Sequence, residues 1–107
     1  MKAIPEPAPR DIDLPTVMGA LSDPVRVEIV RTLASEGEKV CGTFDLGVAK
    51  ATRSHHLRIL REAGLTLTRT EGTKRLVSLR RDDLDARFPG LLDAVLAAAE
   101  RGAPVGA

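Results

Sequence analysis

Apolar residues recur along this chain in two different periods, and the change of period divides it. Leu14, Val17, Met18 and Leu21 stand at i, i+3, i+4 and i+7, one face of a helix. Asp13 precedes them as an N-cap, and Pro15 falls near the helix start, where a missing N–H is tolerated. Ser22-Asp23-Pro24 ends that helix near Leu21 and starts a second, with Asp23 as cap and Pro24 at the first helical position. The second helix runs to about Ala34 or Ser35 through Val27, Val30 and Leu33, with Ile29 beside them and Arg26 and Arg31 off the stripe. Glu36-Gly37-Glu38 connects it to Val40–Leu46. That stretch reads as a short third helix with Val40 and Phe44 inward, although Gly42 and Thr43 are poor helix formers.

A turn at Gly47 follows, and then a run from Ala51 to Ala63 free of Gly and Pro. Leu57, Leu60 and Ala63 form its apolar stripe, and Gly64 sits where a left-handed C-cap falls. After Gly64 the period becomes two. Leu65 and Leu67 alternate with Thr66, Thr68 and Thr70, the pattern of a half-buried strand. Glu71-Gly72-Thr73 is a hairpin tip, and Lys74 to Leu79 returns as the second strand. Asp82 or Asp83 caps a short helix ending near Phe88. The last helix spans about Gly90 to Arg101. Pro5, Pro7 and Pro9 make residues 1–12 a mobile, extended arm, and residues 102–107 a flexible tail. The expected fold is mainly α with a β-hairpin, in one domain over residues 13–101.

Two apolar stripes exceed what so small a domain can cover. They are Leu14, Val17, Met18 and Leu21 on the first helix, and Leu91, Leu92, Val95 and Leu96 on the last. These two helices are predicted to pair across a two-fold axis, giving a homodimer.

Composition narrows the function. Two Phe and no Tyr or Trp leave Leu, Val, Ile and Ala to build the core, and argue against stacking on single-stranded nucleic acid. The single cysteine, Cys41, allows no internal disulfide and suits a reducing cytosol. No apolar run has the length of a membrane span, and the N-terminus lacks the apolar core of a signal peptide. A cytoplasmic protein without a membrane partner is expected. The net charge of +1 conceals an asymmetry: Lys50 to Arg81 holds nine Lys/Arg against two acids, and the remainder seven against thirteen. Such a basic block is the footprint of a nucleic-acid face.

The helix inside that block has two characters. Lys50, Thr52, Ser54, His55, Arg58 and Arg61 lie off the apolar stripe and offer charge and hydrogen bonds, as a reader of the major groove requires. His56 lies beside Leu57 and Leu60 and is expected to pack, whereas its neighbour His55 points outward. Arg69, Lys74 and Arg75 cluster at the hairpin tip. No nucleophile with a positioned base, phosphate-cradling Gly loop or converging carboxylate pair occurs, so neither an enzyme nor a cofactor is expected.

Asp23-Pro-Val-Arg26, Ser54-His-His-Leu-Arg-Ile-Leu-Arg-Glu-Ala-Gly-Leu65 and Glu71-Gly-Thr-Lys-Arg75 occur in this order. Together they resemble the ArsR/SmtB-type family of winged helix-turn-helix repressors. The resemblance covers about residues 13–100. It implies a winged helix-turn-helix fold, dimeric through its first and last helices, that binds double-stranded DNA at an inverted-repeat operator. It assigns recognition-helix contacts to Lys50, Ala51, Thr52, Ser54, His55 and Arg58, and wing contacts to Arg69, Thr73, Lys74 and Arg75. Two-fold symmetry would set the recognition helices about 34 Å apart, one turn of B-DNA. Arg53 departs from the family, which more often has an apolar residue there; its stem can run along the core while its head reaches water or phosphate.

Sensors of that family use a Cys pair before the turn, or Asp and His ligands on the last helix. Here Gly42 and Thr43 follow Cys41, and the last helix has no His, so no metal site of the family's kind is expected. Cys41 is either a small half-buried side chain or a redox sensor, the latter if its thiolate is stabilised. Without a metal, a regulatory signal delivered by a partner protein is a coherent alternative, as is a winged-helix module that binds protein and not DNA.

Overall fold

Two aspartates start the first two helices. The Asp13 carboxylate accepts the Thr16 N–H at 3.0 Å and opens α1 (Leu14–Ala20). Asp23 accepts the N–H groups of Val25 at 2.8 Å and Arg26 at 3.3 Å and opens α2 (Pro24–Glu36). Thr16 holds the Asp13 carboxyl below its ordinary pKa. At Asp23 burial pushes the pKa up, and the two backbone bonds more than offset it. The structure is a computed structural model and describes residues 6–101.

The chain then forms β1 (Lys39–Val40), a 3₁₀ turn (Cys41–Thr43), α3 (Lys50–Ala63), β2 (Thr66–Glu71), β3 (Lys74–Leu79), α4 (Arg81–Arg87) and α5 (Leu91–Arg101). The sheet is antiparallel in the order β1-β3-β2, with Val40 opposite Leu76 and Glu71 opposite Lys74. Gly72 has φ +61 in the two-residue tip between β2 and β3. One core joins the layers. Ile29, Val30 and Leu33 of α2 meet Leu57, Leu60 and Ala63 of α3, together with Val17, Ala20, Leu65, Val77, Leu84 and Leu92. A winged helix-turn-helix of mainly α character results.

The join between α3 and β2 is tight. Gly64 takes φ +89, its N–H reaches the Arg61 carbonyl at 3.1 Å, and the Leu65 N–H reaches back to Leu60 at 3.0 Å. This is a Schellman-type stop. A Cβ on Gly64 would lie 2.5 Å from Cγ1 of Ile12, which is itself buried.

Four expectations need correction. Val40–Leu46 is not an α-helix: Val40 pairs with β3 as a third strand, and the Thr43 hydroxyl donates to the Val40 carbonyl at 2.7 Å, closing a 3₁₀ turn. Gly42 and Thr43 resist helix, and an open sheet edge satisfies Val40 instead. In β2, Thr66, Thr68 and Thr70 face inward and Leu67 is exposed, the reverse of the expected facing. Leu65 is occupied by the helix stop, so the strand begins one residue later, and a one-residue shift exchanges the faces. Asp82 and Asp83 lie within the first turn of α4 rather than at its cap, which is Arg80.

The fourth concerns the arm expected over residues 1–12. Residues 1–5 and the tail 102–107 lie outside the described residues. Residues 6–12 are anchored at both ends, with Glu6 to Ala8 half-buried, Pro9–Asp11 exposed in a short 3₁₀ turn and Ile12 buried. The Glu6 carboxylate accepts the Thr68 N–H at 2.6 Å, Arg80 Nη1 donates to the Pro7 carbonyl at 2.8 Å, and Arg87 Nη2 donates to the Ile12 carbonyl at 2.6 Å. Proline removes donors but not carbonyls, so arginines, Arg80 buried and Arg87 exposed, can hold such a segment. Glu6 also covers part of the β2 edge.

Replacing Gly64 by Ala forces an L-residue into the left-handed region and a methyl into Ile12. Stability in urea should fall by about 2 kcal/mol or more with the slope unchanged. A melting curve matching that of the parent would show that the junction adapts freely.

Candidate nucleic-acid interface

α3 owes its two faces to the alternation of its side chains. His56, Leu57, Leu60 and Ala63 are buried, while Lys50, Ala51, Thr52, Ser54, His55 and Arg58 are all exposed. Ala51, Ser54, His55 and Arg58 follow i, i+3, i+4 and i+7, so they share one stripe. They line a shallow groove with Arg61 and Arg75. Gly47, at φ +68, turns the chain into this helix. No acid stands in the first turn of α3, so its positive end is left open.

The two histidines have different partners. His56 Nδ1 lies 3.1 Å from Arg26 Nη1, and Arg26 Nε donates to the Ala20 carbonyl at 2.6 Å. An arginine only donates, so Nδ1 is the acceptor and its proton, in the neutral ring, sits on Nε2. Through Arg26 the inner face of α3 is tied to the end of α1 and the start of α2. His55 stands outside this arrangement on the exposed face.

On the wing, Thr73, Lys74 and Arg75 are exposed at the tip. Arg69 is differently placed. Both of its outer nitrogens and Nε are engaged at 2.9 Å, with Glu38 by two contacts and Glu71 by one. These carboxylates push the guanidinium pKa up, and Arg69 in turn holds Glu38 below the ordinary carboxylate range. Arg69 therefore carries no surplus positive charge at the tip, unlike Lys74 and Arg75. Glu71, two residues away on the same strand face, was a readable signal of this. Glu38 was not, because it is brought near by the unforeseen β1.

Between α3 and the wing runs a crease of about 500 Å³. Lys50, Arg53, Ser54, Leu57 and Arg61 form its α3 side, Val40, Cys41 and Gly42 another wall, and Thr68, Thr73, Lys74 and Arg75 the wing side. Arg53 is half-buried and lines this crease. Arg61, read from the sequence as one of the cations off the apolar stripe, lines the same crease, and its 50, 53, 54, 57, 61 spacing marks one helix side.

Cys41 is half-buried in the same place. Burial pushes its thiol pKa up, against the opposing pull of Arg75, Arg53 and Arg61. Burial thus works against the stabilised thiolate that a redox role requires. Among the described residues no three His, Cys, Asp or Glu side chains come together as metal ligands, and no helix is long and apolar enough to cross a membrane.

A raised thiol pKa means less thiolate at neutral pH. Iodoacetamide should therefore modify folded Cys41 more slowly at pH 7.5 than the same residue in urea, with the rate climbing only above the ordinary thiol range. Equal rates in the folded and unfolded chain would contradict this burial.

Known proteins share this arrangement. Residues 23–66 match the model of a family described as bacterial regulatory protein, arsR family. The HTH-type transcriptional regulator YceK of Bacillus subtilis (strain 168) is 41% identical over 80 residues, spanning 72% of this chain and 80% of that protein. An arsenical resistance operon repressor of Staphylococcus xylosus is 32% identical over 74 residues, 68% of this chain and 71% of its own length. A homolog of the cadmium resistance regulatory protein CadC from Staphylococcus aureus is 42% identical over 67% of this chain and 60% of that protein. The crystal structure of M. tuberculosis Rv0081 has the same fold, with a TM-score of 0.60 over 80% of this chain and 87% of that one at 24% identity. With two fifths of its aligned residues shared with a regulator across most of that protein's length, the chain belongs to the ArsR family and is a DNA-binding transcriptional regulator.

Proposed function

We propose that the protein is a repressor that binds an inverted-repeat operator as a homodimer. The observation that carries this reading is the fully exposed polar stripe of α3 beside a wing tip whose Lys74 and Arg75 have no acidic partner among the described residues. Thr52, Ser54 and His55 reach base edges, with Ala51 in apolar contact. Lys50, Arg58, Thr73, Lys74 and Arg75 hold the flanking phosphates. Arg69 positions the base of the wing through Glu38 rather than gripping DNA as a free cation. The reading contains no catalytic step and no metal.

The dimer face is narrower than the apolar stripes suggest. Val17 and Leu92 are already buried in the monomer core, so they support the face from beneath and do not form it. Leu14 and Met18 are 44% and 50% exposed on α1. Leu21, Leu91, Val95 and Leu96 are half-buried. Val17, Leu21, Leu91 and Leu92 border one small apolar crevice, so the end of α1 comes near the start of α5. Burying Leu14 and Met18 against a second copy would remove the two largest exposed apolar groups of the helices.

Changing Met18 to Glu should leave the monomer fold intact, abolish the dimer in sedimentation at micromolar concentration and cost operator affinity. A parent protein that sediments as a monomer would end the dimer reading. The double change Lys74→Ala with Arg75→Ala should weaken binding to all sequences alike. It should also lower the slope of log affinity against log salt by about 2. An unchanged slope on mixed genomic duplex would remove the wing from the interface.

A further inference from the structure

Seven arginines of this chain contrast in their partners. Arg31, Arg69, Arg80 and Arg81 each hold a carboxylate at 3.0 Å or less. Arg53, Arg61 and Arg75 hold none among the described residues, although all three line the crease between α3 and the wing. Lys50 and Lys74 stand at the same crease, and no acid lines it. Arg61 Nε lies out of solvent without an acceptor among the described residues. Five like charges around one concavity repel each other, and a buried guanidinium N–H without an acceptor is unfavourable. A compact multivalent oxyanion in the crease would relieve the repulsion and offer an acceptor to the Arg61 guanidinium that lines it.

We propose that the crease is a binding site for a phosphate-type oxyanion, held by the guanidinium groups of Arg53 and Arg61 from α3 and Arg75 from the wing. Guanidinium forks match the paired oxygens of phosphate, and their weak hydration suits a half-buried site. Cys41, kept as a neutral thiol by burial, adds no repelling charge. The phosphate group has two sources. One is the backbone of bound DNA, because Lys50 and Lys74 place the mouth of the crease on the DNA face. The other is a free phosphorylated or inorganic anion. The free-anion source is inferred from the crease alone; the DNA source rests on the DNA-binding reading above.

The test uses the full ¹⁵N-labelled chain and its arginine Nε–H resonances. Inorganic phosphate is titrated against sodium chloride at matched ionic strength. The Arg53 and Arg61 signals should move saturably with phosphate and not with chloride. Arg61→Gln and Arg53→Gln, each checked for a native backbone spectrum, should each weaken phosphate binding by at least about tenfold. Shifts that follow ionic strength alone, or phosphate affinity unchanged in both variants, would overturn the site. A mixed-sequence duplex is then added. If DNA moves the same resonances and phosphate lowers DNA affinity in the parent but not in Arg61→Gln, the DNA backbone is a ligand of this crease. If phosphate and DNA bind without affecting each other, the ligand is a free anion. Failure of the DNA reading appears separately, as no duplex affinity at low salt, and leaves the phosphate titration of the free protein intact.

Discussion

The left-handed turn at Gly64 is the constraint on which the other elements depend. It stops α3, sets where β2 begins, and lets Ile12 pack where a Cβ would otherwise stand. Leu65, directly after it, donates to Leu60 and accepts the Arg80 N–H at 2.9 Å, so the same two residues also fix the end of β3 and the start of α4. Recognition helix, wing and N-terminal segment are thereby held in one register. A wing can grip phosphates beside a helix only if the angle between them is fixed, and here it is fixed within two residues.

A second link runs from Arg26. Its guanidinium joins the Ala20 carbonyl at the end of α1 to His56 on the inner face of α3. α1 is the helix with the exposed apolar face and α3 the one with the exposed polar face. The arginine thus links the surface proposed for a second copy to the surface proposed to read DNA. Removing either partner would leave the other buried or half-buried without a complement, which is why such pairs hold position more firmly than surface ion pairs do.

Charge is sorted by pairing rather than by sequence position. The basic block contains Arg69 and Arg80, both neutralised by nearby carboxylates, together with Arg53, Arg61, Arg75 and Lys74, which are not. A count over residues 50–81 adds all of these equally. The folded chain divides them into cations that hold the wing and the N-terminal segment in place and cations that face a crease and a groove. Only the second group is available to an anionic ligand.

Much of this was legible before folding was considered. The caps Asp13 and Asp23, the stop at Gly64, the hairpin tip at Gly72 and the outward set Lys50, Thr52, Ser54, His55 and Arg58 follow from local rules, because each depends on residues within a few positions of itself. The separation of His55 from His56 follows in the same way from helical periodicity. What local rules misjudged depended on distant partners. Val40 is a strand because β3 lies beside it, and residues 6–12 are held because Arg80 and Arg87 reach their carbonyls. Val17 and Leu92 are core because the monomer already covers them. Arg69 is spent on Glu38, and Arg53 and Arg61 meet Arg75 across the crease. The sequence by itself determined where the helix Lys50–Ala63 lies and which residues it shows, through periodicity and capping. Only the tertiary structure decided which charges are free and which apolar groups remain exposed, since both depend on neighbours brought together from far along the chain.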